Sequence, residues 1–139
     1  MSDPIYHELQ LPADDDSYTG IIAILTAGET LAFGYACYLK AADSKMYKAV
    51  ATATGTMPCI ALALGAMNAN DIGRFLVLGF IRDNAWSWTV NGLFYVHTTG
   101  GLPTQTRPAA SGNQVQVIGV AMTSAIILFN PSYELVEVA

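Results

Sequence analysis

Apolar positions along this chain fall in short runs, alternating or continuous, each closed by glycine, proline, asparagine or aspartate. That rhythm predicts strands separated by turns. Ile21–Leu25 is a first apolar run, and Ala27-Gly28-Glu29-Thr30 turns it. Leu31 to Leu39 reads as a strand or a bent pair, Lys40 to Lys45 as a polar turn centred on Asp43-Ser44, and Met46 to Ala51 as the next strand. After a Thr/Gly/Pro loop come Cys59–Leu64, then a turn over Asn68–Gly73, then the strongly apolar Arg74–Ile81. Trp86, Trp88 and Val90 alternate as one face of a predicted strand. Ala125–Phe129 and an edge strand over Tyr133–Val138 end the chain, with Asn130-Pro131 between them. No segment keeps a helical spacing over about ten residues.

The clearest unit runs from Asn91 to Ala121: a strand carrying Leu93 and Tyr95, the turn Gly100-Gly101, a crossing containing Pro103 and Pro108, and a strand with Val115, Val117 and Val120. Glycine supplies the positive φ of a tight turn, and the prolines keep the crossing out of a helix. A looser echo lies upstream. A shift of 57 places Ile24 on Ile81, Leu31 on Trp88, Phe33 on Val90, Tyr38 on Tyr95 and Leu39 on Val96; a shift of 58 places Ile60–Ala63 on Ile118–Ala121. The expected architecture is all-β, a compact β-barrel or β-sandwich from two similar β units of about 20–77 and 78–139. Residues 1–19 precede this 20–139 body as an extended N-terminal arm, with Pro4, Pro12 and the acidic run Asp14-Asp15-Asp16.

Composition changes the picture in one respect. Charged residues make up 12% of the 139 residues while apolar ones make up 53%. The charged share is about half the usual proportion. Uncharged surface on that scale predicts burial against copies of the chain or a larger assembly. The net charge is −5, and six Lys and Arg are scattered along the chain, so no basic stripe is present to follow a nucleic-acid backbone. The start of the chain lacks the basic and apolar regions of a signal peptide. The uncharged stretch from Ala49 to Met67 is broken by Gly55 and Pro58 and is too short to cross a bilayer, so no membrane partner is expected. Cys37 and Cys59 read as buried free thiols of a protein made in a reducing cytoplasm.

Candidate chemistry is sparse. His7 and His97 are the only histidines, and His97 stands beside Thr98 and Thr99 with no serine elbow or cysteine-protease context. A hydrolase built on His97 therefore lacks a positioned nucleophile. Three successive aspartates cannot close a calcium site without help from elsewhere. The two cysteines and two histidines lack zinc-ligand spacing, and Gly100-Gly101 is followed by Leu-Pro rather than by a phosphate-loop lysine. No catalytic residue, cofactor or metal is expected. Trp86 and Trp88, with Tyr95 nearby in sequence, fit a sugar-stacking platform, a subunit anchor or plain core.

Several stretches resemble the small β proteins that coat tailed-bacteriophage virions. They are Gly34–Leu39 with Asn91–Val96, the loop Gly100–Pro108, the strand Ile118–Ala121, and the ending Ile127–Ser132 before a short acidic strand. Together they cover about residues 28–138. The chain is thus similar to capsid decoration (cement) proteins and the related β domains of head fibres. The resemblance implies a non-enzymatic protein, made in the host cytoplasm and placed on the outer capsid surface of the virion. It implies homotrimers that bind the major capsid protein, bridge its subunits and resist internal DNA pressure. It also implies that the arm grips the capsid, with Pro4, Ile5, Tyr6, Leu9 and Leu11 as the contact residues. A second reading is a head-fibre or tail receptor-binding β domain, in which Trp86, Trp88 and Tyr95 face a host surface glycan.

Overall fold

The computed structural model describes residues 8–139, and it is all-β. The longer strands are β1 (Ser17–Thr26), β2 (Ala36–Lys40), β3 (Lys45–Lys48), β5 (Ile72–Arg82), β8 (Val117–Thr123) and β9 (Ile126–Phe129); β4 (Ala61–Ala63), β6 (Leu93–Tyr95), β7 (Gln114–Val115) and β10 (Val136–Glu137) are short. The sole helical element among the described residues is a single 3-10 turn, Thr54–Thr56.

Seven strands form one curled antiparallel sheet in the order β3-β2-β4-β5-β9-β8-β6, and β1 pairs along the other edge of β5. β7 and β10 make a separate two-stranded sheet. The curl is stitched by the crossing after β6. Tyr95 and Thr104 exchange backbone hydrogen bonds of 2.7 and 3.0 Å, and the Ala36 amide donates to Gly101 O at 3.0 Å. Segment 101–104 therefore links β6 at one end of the sheet to β2 near the other. Gly100 (φ 77°) and Gly101 (φ 95°) take the positive φ that the sequence predicted for this turn.

The concave face holds the larger core, with Leu62, Leu76, Ile81, Phe94, Ile127 and Phe129 almost wholly buried. A second cluster lies around Cys37, Met46, Ala61 and Phe75, where Ala27, Leu31 and Met67 cover the sheet. Cys37 and Ala61 are paired neighbours in one cluster, while Ala36 and Leu62, one residue along, belong to the other. Period-two alternation thus feeds two cores from one pair of strands.

Strand order repeats in mirror sequence about the β5–β9 contact, with Thr104 beside β6 where β3 lies beside β2. At a shift of 57 Tyr38 of β2 falls on Tyr95 of β6, and at 58 the stretch Ile60–Ala63 over β4 falls on Ile118–Ala121 of β8, strands that hold equivalent places in this order. The 77/78 boundary between the expected units falls inside β5.

Two expectations need correcting in detail, and a third resolves to one of its two alternatives. Residues 86–90 are not a strand. Trp86 N–H donates to Asp83 O, Trp88 N–H to Ser124 O, and the Gln105 side-chain amide holds both the N–H and the C=O of Thr89 (3.0 and 2.8 Å). A side chain takes the place that a ladder partner would fill, so apolar alternation here does not mark a strand. Leu31–Leu39 is the bent pair: Gly34 (φ 85°) separates Leu31, which bridges Met67, from β2. The edge strand at the end of the chain is confined to Val136–Glu137.

Candidate functional site

Residues 8–16 do not project from the body. Arg82 Nη1 donates to Pro12 O at 3.0 Å, the Asn84 amide to Asp15 Oδ1 at 2.8 Å, and Thr19 Oγ1 to Gln10 O. Pro12 is buried, while Leu9 and Leu11 remain about half exposed. Pro4, Ile5 and Tyr6 lie outside the described residues.

The strand registers build an apolar row across the convex side of the sheet. Thr19 pairs with Phe80, Phe80 with Leu128, Leu128 with Val120, and Val120 with Leu93, so the row crosses β1, β5, β9, β8 and β6. Phe80, Leu128 and Val120 are half-buried, and Leu93 is exposed. Ile21, 59% exposed, pairs with Leu78 beside the row, and Met122 is exposed two residues beyond Val120. Leu9, Ile21 and Leu78, with Glu8, line a hollow at one end of it. No charged side chain stands in the row. The sequence supplied the alternation but not the knowledge that these residues of five strands share one row.

A second feature lies along the crossing after β6. Tyr35, Trp88, His97, Thr99 and Thr104 border a hollow of about 430 Å³. A neighbouring hollow of about 360 Å³ shares His97 and Thr104 and runs on to Arg107. Neither lining contains an aspartate or glutamate. The Thr99 amide donates to His97 Nδ1 at 3.1 Å, so in the neutral imidazole the proton sits on Nε2. The Trp88 indole N–H is shielded from solvent and has no acceptor among the described residues.

Of the three aromatics expected on a shared face, Trp88 alone borders this trough. Trp86 packs at 5.7 Å from Trp88 and against Gly34, joining the core with Trp88 and Phe94 (4.8 Å, edge-on). Tyr35 and His97 accompany Trp88 in their place. Sequence spacing did not reveal that trio, because the three residues come from separate segments joined by the 101–104 stitch.

Asp15, Asp16 and Asp83 bring one carboxylate oxygen each within 4.8 Å of one another. Desolvation, then the charges of Asp15 and Asp83, push the Asp16 carboxyl above its ordinary range. Three oxygens at an exposed corner fall short of the six to eight that calcium takes, and Asp15 and Asp83 are occupied as acceptors for the Asn84 and Ala85 amides. Cys37 and Cys59 are free and buried, and burial raises both thiols, Cys59 to about 12. Both are therefore poor nucleophiles.

No protein-family model, curated protein or solved structure matches the chain. No helix among the described residues is long and apolar enough to cross a membrane.

Proposed function

We propose that this chain is a non-enzymatic structural protein of a phage virion, decorating the assembled capsid on its outer surface. The observation that supports this reading is the uncharged apolar row from Phe80 to Leu93. Soluble monomers rarely leave a contiguous apolar surface of that kind open, because its exposure to water is unfavourable. The occupant is a further copy of the same chain. A row without charge offers nothing for an oppositely charged partner to read, and like apolar surfaces are complementary to one another. Three copies are the number that the resemblance to decoration proteins implies.

Joined copies would present several capsid-binding segments at once. Linked attachments raise the effective concentration of each remaining contact, so weak grips add up to stable cross-bridging. Leu9, at one end of the apolar face, the exposed Leu11 and the residues before them are the segment assigned to the major capsid protein.

The test is the position of the protein on particles produced by the genome that encodes it, seen by cryo-electron microscopy. Density on the shell, bridging capsid subunits, is the expected result. Density confined to a fibre or tail, or absence from the particle, overturns the proposal.

A further inference from the structure

We infer that the trough beside segment 98–107 binds a carboxylate-bearing saccharide. Its two neighbouring hollows, about 430 and about 360 Å³, share His97 and Thr104 in their walls. Each alone is in the size range of small-ligand pockets, roughly 300–1,000 Å³. The lining divides by chemistry along its length. Trp88 and Tyr35 stand at one end, threonine hydroxyls occupy the middle, and the exposed Arg107 stands at the other.

Trp88 and Tyr35 bring aromatic rings to the wall of one hollow. His97 adds a donor, since its Nδ1 is engaged by Thr99 and its proton is left on Nε2. Arg107 makes no ion pair among the described residues, where the sole pair is Lys48–Glu29.

Those groups choose the ligand class. The trough is rich in donors and has no carboxylate of its own, in a chain whose net charge is −5. An anion is therefore accepted there without repulsion from the wall, and a guanidinium suits a carboxylate in planar geometry. The aromatic end suits the apolar face of a sugar ring, and the threonines suit its hydroxyls. Bare phosphate would leave the aromatic end unused. A nucleic-acid strand would require more cations than the one present.

This inference goes beyond the decoration reading and stands on different residues, so either can fail alone. The experiment is isothermal titration of the full chain with a hyaluronan tetrasaccharide, in which glucuronate alternates with N-acetylglucosamine, and with neutral chitotetraose for comparison. Saturable binding of the acidic tetrasaccharide is expected, weakened about tenfold by Arg107→Gln. Trp88→Phe, which keeps an aromatic ring but offers a smaller face to the sugar, is expected to weaken it as well. Arg107 is exposed, so its variant retains the fold whatever Trp88→Phe does. No saturable binding of the acidic tetrasaccharide, equal binding of chitotetraose, or affinity unchanged in Arg107→Gln would each overturn the inference.

Discussion

Gly20 and Gly79 face each other across β1 and β5, and neither has room for a side chain. A Cβ on Gly79 would lie 2.2 Å from Thr19 O and 2.7 Å from Gly20 Cα, and one on Gly20 would lie 2.2 Å from Leu78 O. Their φ values, 145° and 151°, are ones that L side chains rarely adopt. The pair lets the two longest strands approach closely just before the register shift between Ile21 and Ile22.

Gly79→Ala therefore combines a backbone clash with an unfavourable φ and is expected to cost roughly 2–4 kcal/mol. Gly55→Ala, where a Cβ meets nothing within 4 Å, is expected to change stability by less than about 1 kcal/mol. Urea unfolding of the two variants checks the contrast. Equal stabilities would mean that β1 and β5 separate at little cost.

Gln116 is fully buried, and its amide does the work of a missing strand. Its Oε1 accepts the Cys59 amide at 2.8 Å, while Nε2 donates to Cys59 O at 2.9 Å and Ser132 O at 2.6 Å. Gln116→Leu keeps the size and leaves those buried groups unpaired. A loss of about 3 kcal/mol is expected, read as a melting temperature lowered by about 10 °C. A shift under about 2 °C would show that water replaces the amide without penalty.

The β2–β3 hairpin carries a pH signature. Tyr47 donates to Asp43 Oδ2, and this bond, followed by the Lys45 amide, lowers the Asp43 carboxyl from its ordinary 3.8. A depressed folded-state value means that the stabilisation is present above pH 3.8 and is lost as pH falls through the folded value. Tyr47→Phe should accordingly melt below the parent at pH 7, with the gap narrowing below pH 3.8. A gap that stays constant with pH would assign the loss to packing alone.

Much of the fold could be read from the chain because turn residues mark the strand ends. Asp43-Ser44 closes the β2–β3 hairpin, where Ser44 takes φ 57°, and Asn130-Pro131 follows β9 as its position predicts. Gly100-Gly101 turn as their sequence demands. What could not be read is anything fixed by partners distant in sequence. Gln116 looks like a solvent-facing residue between two valines until Cys59 is brought against it. Trp86, Trp88 and Val90 alternate like a strand, but Gln105 and Ser124 claim the backbone that a neighbour would pair. Alternation announces that a strand has two unlike faces and does not reveal which residues of distant strands join each face. The row from Phe80 to Leu93 and the trough around His97 both belong to that second class.

Copies of this chain meeting through the apolar row is the central proposal. Ile21 and Leu93 are exposed, 59% and 46%, so lysine at both positions leaves the core intact while placing charge on the contact. Light scattering coupled to size exclusion is the direct measurement. The parent chain is expected to run as an oligomer and Ile21→Lys/Leu93→Lys as a folded monomer with the same circular dichroism. A monomeric parent, or an oligomer that survives both lysines, would contradict the account.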